Sequence, residues 1–203
     1  MATLIRDREM ERQLIARRRR LGQDKFDEVW NGVYVMSPLA NDEHQDIAGS
    51  LYALFRETVQ EPGLGIARPG INVSDRRQDW RQNFRCPDAA VFLNGTSAIN
   101  CDAHWFGGPD FAVEVASPGE RVTKKLGFYA AVGTRESLIL NRSRWKLSLY
   151  RLIDGELRLD GESSVADGNW LSSNVLPLSF RLIDGIKRPR IEVRHADGQT
   201  WMV

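Results

Sequence analysis

Two acidic residues stand where a folded chain tolerates few. Glu114 interrupts the apolar run Phe111-Ala112-Val113-Glu114-Val115-Ala116, and Asp88, after Pro87, opens Ala89-Ala90-Val91-Phe92-Leu93. Both runs have the length and content of strands buried on two faces. Taking a carboxylate out of water is costly, so such a group must be neutral, paired with a cation or bound to a metal. Two carboxylates on adjacent strands make an oxygen site for a hard divalent cation. A helix is expected after Glu114, from about Pro118 to Val132 and closed by Gly133. At about 100° per residue, Val122, Leu126, Tyr129 and Gly133 share one face; Lys125 lies near its edge and Lys124 on the opposite side. A Lys125 ammonium turned toward the acids could orient an attacking water and stabilise charge on a phosphoryl oxygen. The plainer reading is a lysine snorkelling from a helix edge.

Three further residues invite the same weighing. His44 falls in the first turn of an early helix, on the side of Ile47 and Leu51. It could stand beside the acidic pocket or be satisfied by a backbone group. Glu43 borders that face and could add a carboxylate, or be a favourable charge at a helix N-terminus. Glu28 could contribute from a strand, although a strand-face glutamate is commoner. Cys86, Cys101 and His104 do not make a zinc site, because there is no C-x-x-C pair and no convincing fourth ligand. The chain also lacks a G-x-S-x-G elbow, a P-loop and a G-x-G-x-x-G fingerprint, so serine-hydrolase and nucleotide-cofactor chemistry find no support.

The elements that must position these residues can be read from periodicity. Phe26 to Trp30 and Val33 to Met36 read as strands joined by Asn31-Gly32, a favoured two-residue hairpin turn, and Ser37-Pro38 ends the hairpin. Ile47, Leu51, Leu54, Phe55 and Val59 follow helical spacing from about Asn41 to the stop at Pro62-Gly63. The strand led by Asp88, a loop through Trp105-Phe106-Gly107-Gly108, the Glu114 strand and the lysine-bearing helix follow. Ser137 to Leu140, Trp145 to Tyr150 and Leu157 to Leu159 read as strands, with a turn at Asp154-Gly155; Val175 to Leu182 and Ile191 to Val193 read as short ones. This order predicts an α/β (α+β) fold, a mixed sheet with helices over both faces.

At 203 residues, 42% hydrophobic and 27% charged, the chain suits one globular domain (residues 24–203) with a C-terminal β extension, preceded by a basic helix at 1–23. No apolar stretch approaches the roughly 18 residues of a membrane span. A cytoplasmic location with no membrane partner is therefore expected. Net charge is +1, yet residues 1–20 hold seven arginines against Asp7, Glu9 and Glu11, a local +4 that leaves −3 for the rest. Arg17 to Arg20 should ring a helix end, either as a solvated face suited to the helix dipole or as a contact for nucleic-acid phosphates.

The segments Arg85-Cys86-Pro87-Asp88, Gly108-Pro109-Asp110 through Glu114 to Pro118, and Lys125 to Gly133 together resemble the Uma-two family of the restriction-endonuclease-like PD-(D/E)XK superfamily. Glu28 to Pro38 and Glu43-His44-Gln45 extend the resemblance over roughly residues 24 to 151. It implies a nuclease-like core in which Asp88 and Glu114 bind Mg²⁺ or Mn²⁺, the Val115 carbonyl adds a ligand, Lys125 is the catalytic lysine and His44 joins the site. The superfamily lysine usually follows the second acid by two positions, where this chain has Ala116; here it has moved into the next helix. Asn141 stands where relatives often show Asp.

Two functions follow. The first is a metal-dependent endonuclease acting on nucleic acid, with DNA as substrate and with Arg17 to Arg20 and Arg85 on its backbone. The second, prompted by Asn141 and the near-neutral charge, is an inactive nuclease-fold binding or accessory protein. The run Trp145 to Tyr150 reads as an exposed strand through which a homodimer could form.

Overall fold

The computed structural model describes residues 8–37, 40–116 and 122–203. Helix α1 (Arg8–Arg20) leads to the hairpin β1 (Glu28–Trp30) and β2 (Val33–Val35). Its turn holds Asn31 and Gly32 at positive φ, as the Asn-Gly pair demands. Helix α2 (Asp42–Phe55) continues as a π-helical turn over Arg56–Gln60. Then come β3 (Gly65–Pro69), β4 (Val73–Ser74), β5 (Phe84–Arg85), β6 (Ala89–Leu93), β7 (Ile99–Asn100), β8 (Trp105–Phe106) and β9 (Phe111–Ala116). A 3₁₀ turn, Val122–Lys125, runs into α3 (Leu126–Ala131). The chain closes with β10 (Glu136–Asn141), β11 (Lys146–Ile153), β12 (Glu156–Ser164), β13 (Leu171–Ser172), β14 (Leu178–Ile183), β15 (Arg190–His195) and β16 (Thr200–Met202).

The central sheet has the order β12-β11-β10-β9-β6-β3, parallel between β9 and β10 and antiparallel elsewhere. It is the expected mixed sheet, and its two-sided burial explains the apolar runs: all of Phe111–Ala116 and Ala89–Phe92 is buried. Helices lie on both faces, as expected, and strands share the cover. One face packs against α2 together with a sheet of order β13-β14-β15-β16, through Leu51, Phe55, Phe111, Leu138, Phe180 and Val193. The other meets α3 and a sheet of order β2-β1-β5-β4-β8-β7, through Phe92, Trp105, Phe128 and Tyr129. Short helices of 14 and 6 residues are too small to roof a six-stranded sheet, and strands complete both layers. Each large apolar side chain so buried contributes roughly 1.5–3 kcal/mol.

Three local findings correct the sequence reading. Of the helix expected over Pro118 to Val132, the described part is 3₁₀ over Val122–Lys125 and α over Leu126–Ala131; its expected start at Pro118 lies outside the described residues. The Trp145 to Tyr150 run is not an edge: β11 is paired on both sides, by β10 and β12, so its backbone groups are not open to a second chain. The segment Trp105–Phe106, read as loop, forms the short strand β8.

Two polar fastenings hold the layers. Glu136, 1% exposed, accepts from Arg151 Nε (2.9 Å), the Asn174 N–H (2.9 Å) and Ser173 Oγ (2.5 Å), tying the central sheet to the loop before β14. Arg142, just past β10, donates through Nη1 to Asn41 Oδ1 (3.0 Å) and Glu43 Oε2 (2.7 Å). Asn41 also caps α2 by accepting from the His44 N–H, so the start of α2 is bolted to the end of β10.

Candidate active site

A cleft of about 440 Å³ opens between α2 and the segment leading into β1, with Glu28, Asp88, Glu114 and Lys125 among its lining residues. The strands explain why the acids converge. Ala90 of β6 is in register with Ala112 of β9, so the alternation that turns Glu114 to one face of the sheet continues to Asp88 at the β6 boundary. The Asp88 N–H still reaches the Val113 carbonyl (3.0 Å), while its side chain takes over where β6 stops: Oδ2 accepts from the Val115 N–H at 2.7 Å. In an extended strand the N–H and C=O of one residue point to the same side. The Val115 carbonyl therefore faces Asp88, past the end of β6. Asp88 Oδ1 lies 2.9 Å from Nε2 of His44, whose place on the apolar side of α2 brings it to the cleft.

Glu114 is 3% exposed and closely held. Lys125 Nζ donates to both of its oxygens, at 3.1 and 2.9 Å, and the Tyr129 hydroxyl donates to Oε1 at 2.5 Å. Lys125 and Tyr129 are four residues apart, one helical turn, so they reach the same carboxylate. Lys124 points outward, as the helical angle predicted. Lys125 also lies 2.8 Å from Glu28 Oε1, and Glu28 further accepts from the Cys86 N–H (2.9 Å) and Trp30 Nε1 (2.7 Å).

Two carboxylates, Glu114 and Glu28, thus share one buried ammonium, and Asp88 lines the same cleft. Burial pushes the Glu114 carboxyl up to about 8; the Lys125 ammonium pulls the other way, while Asp88 and Glu28 add to the rise. Burial also works against charge on Lys125, but Glu114 and Glu28 outweigh it and hold its pKa well above the ordinary lysine range. Tyr129 is raised far enough, by burial and by Glu114, to remain a donor. Burial likewise raises the Cys86 thiol, which keeps it from being a thiolate ligand.

The donor set suits a hard cation. A carboxylate offers about four lone-pair sites. Oε2 of Glu114 carries one hydrogen bond, as does each oxygen of Asp88, so acceptor capacity remains on both acids. Among the described residues no group of three His, Cys, Asp or Glu side chains is arranged to hold a metal. Mg²⁺ does not require one, since it is commonly held by one or two carboxylates with waters and substrate oxygens.

Sequence reasoning underrated Glu28 and took Tyr129 for a packing residue; the four-residue step from Lys125 was the available signal for Tyr129. Glu43 is spent on Arg142 rather than the cleft floor. Arg85, expected on a phosphate backbone, is 4% exposed and lies between the Trp30 and Phe128 rings, with Nη1 donating to the Val29 and Phe84 carbonyls and to Asn83 Oδ1. Of the arginine run at the end of α1, Arg18 turns inward to Asp27 (2.6 and 2.7 Å) and to the carbonyls of Gln23 and Ser37, leaving Arg17, Arg19 and Arg20 exposed. Asn141 Oδ1 accepts from the Arg144 N–H (3.2 Å) and serves the turn after β10.

Residues 13–184 match the model of the Uma2 (Uma-two) family, described as "putative restriction endonuclease". The chain belongs to the Uma2 family. Its fold is similar to the crystal structure of a "putative nuclease belonging to DUF820" from Anabaena variabilis, with TM-score 0.56 and 16% identity over 72% of this chain and 80% of that one. No curated protein matches the chain. Among the described residues of this Uma2 protein, no helix is long and apolar enough to cross a membrane.

Proposed function

We propose that this Uma2 protein hydrolyses phosphodiester bonds in nucleic acid, with DNA as substrate and Mg²⁺ or Mn²⁺ as cofactor. The observation that carries the reading is the meeting of Asp88, Glu114 and Lys125 in one cleft lining, where Glu114 and Glu28 share a single buried ammonium. Membership of a restriction-endonuclease family supports nucleic acid as the substrate. Asp88, Glu114 and the Val115 carbonyl would hold the ion. When bound, the divalent ion supplies Lewis acidity and lowers the pKa of a water. His44 keeps the Asp88 carboxylate turned into the cleft. Tyr129 fixes the rotamer of Glu114, and Lys125, held by Glu28 and Glu114, would place its positive charge beside the reacting water or the charge growing on the phosphoryl oxygen. Incubating purified protein with plasmid and oligonucleotide DNA and RNA in Mn²⁺ or Mg²⁺ tests this; inertness on all of them, with the fold intact, rejects it.

One observation favours a non-catalytic alternative: Lys125 already bonds both oxygens of Glu114, as a purely structural ion pair would. Calorimetric titration separates the readings. Mn²⁺ uptake without turnover leaves a binding or accessory protein, and no uptake leaves a structural relic.

A further inference from the structure

The cleft is narrow for a nuclease substrate, and its mouth carries a specific pair of side chains. At about 440 Å³ it falls in the lower part of the range of small-molecule pockets, roughly 300–1,000 Å³. Its reactive groups are recessed, with side-chain exposures of 18% for Asp88, 3% for Glu114 and 8% for Lys125. A phosphate must enter the cleft to reach them. In a duplex, pairing and stacking hold each phosphate on a broad rod; in an unpaired strand the bases can be splayed and the backbone threaded.

The mouth offers what a splayed strand needs. Phe26 lines the cleft and remains 39% exposed, beside the exposed Lys25. The Phe26 ring sits on the bare backbone of Gly70, where a Cβ would come within 2.7 Å of Cε1, and Gly70 takes the positive φ (48°) that suits glycine. Across the cleft, α2 presents Ala48 and Gly49, and a Cβ on Gly49 would meet nothing within 4 Å. An aromatic face next to a cation at the rim of a groove is the arrangement by which proteins hold single strands without reading sequence.

We propose that the cleft takes an unpaired nucleic-acid strand, stacking one base on Phe26 and contacting a flanking phosphate through Lys25, and that it excludes blunt duplex. The substrate class rests on the hydrolytic reading above, whereas the binding mode can be measured without it.

One labelled sequence is offered as single-stranded DNA, single-stranded RNA, blunt duplex and duplex with an unpaired flap. Binding is read by anisotropy in Ca²⁺ and cleavage in Mn²⁺. Single strands and the flap should bind at least about tenfold tighter than blunt duplex. Phe26→Ala should lose about tenfold on the single strand, the scale of one base–aromatic stack. Gly49→Phe should block strand binding without lowering the melting temperature, since a Cβ there meets nothing within 4 Å. Equal binding of blunt duplex, or a Phe26→Ala protein that binds as before, overturns the proposal. Duplex cleaved as fast as single strand defeats it and leaves hydrolysis standing. Phe26-dependent strand binding without cleavage of any substrate does the reverse.

Discussion

Glu114 and Glu136 lie on neighbouring strands of the central sheet, 3% and 1% exposed, and are treated in opposite ways. Glu136 accepts from a guanidinium, a hydroxyl and a backbone N–H, has no place in the cleft lining, and joins two layers. Glu114 shares its ammonium with Glu28, faces Asp88 and lines the cleft; burial, with Asp88 and Glu28, raises its carboxyl pKa against the pull of Lys125. Burial of a charge is therefore not what marks a reactive site. A surplus of like charge with solvent access marks it, because such a group still has a demand that a cation or proton must meet.

The comparison is most sharply tested by exchanging what each glutamate can lose. Asp88→Asn and Glu114→Gln should lower cleavage per folded molecule by a thousandfold or more, about 4 kcal/mol of barrier, with little change in unfolding midpoint for Asp88→Asn; retained cleavage in either variant would break the contrast. Glu136→Ala should lower unfolding free energy by about 3 kcal/mol in urea titration, the low end for breaking a buried pair, because Arg151 keeps Asp160 as a partner. Its cleavage per folded molecule should match the parent. A smaller effect concerns pH. Since Glu114 must shed a proton to hold a metal and its pKa stands near 8, Mn²⁺ affinity should climb as pH rises toward 8, approaching tenfold per unit, then level off; calorimetry in buffers of different ionisation heat would read the released proton. A flat profile from pH 6 to 9 would mean Glu114 is not a ligand. Least of all, Tyr129→Phe removes one hydrogen bond from Glu114 and should weaken Mn²⁺ binding five- to tenfold, about 1 kcal/mol, without touching Glu136.

How far the chain could be read in advance follows the same division. The strands of Asp88 and Glu114 were legible because a charge inside an apolar run is a local contradiction, and helical angle favoured Lys125 over Lys124 while leaving a snorkelling lysine open. Glu136 gave no such signal: in Thr134-Arg135-Glu136-Ser137 an acid looks ordinary, and its burial comes from Ser173 and Asn174, nearly forty positions on. Glu28 was weighed but underrated for the same reason, since its partners Cys86 and Lys125 are remote in sequence. Much of the sheet on the α3 side was missed because strands of two residues, such as β4, β7 and β8, are too short to show a period. Arg18 and Arg85 show the limit of counting charge: each sits in a basic stretch, yet carboxylate, carbonyl and ring partners take it from the surface.

The link from Glu28 through Lys125 to Glu114 joins a strand of the outer sheet to the centre of the inner one, so Lys125 works as mortar whether or not any bond is cut. A lineage that abandoned chemistry would still suffer for losing it. Asp88, whose side chain bonds His44 and one backbone amide among the described residues, would be freer to drift. When homologues are sorted into living and dormant enzymes, the aspartate is the better tell-tale than the lysine.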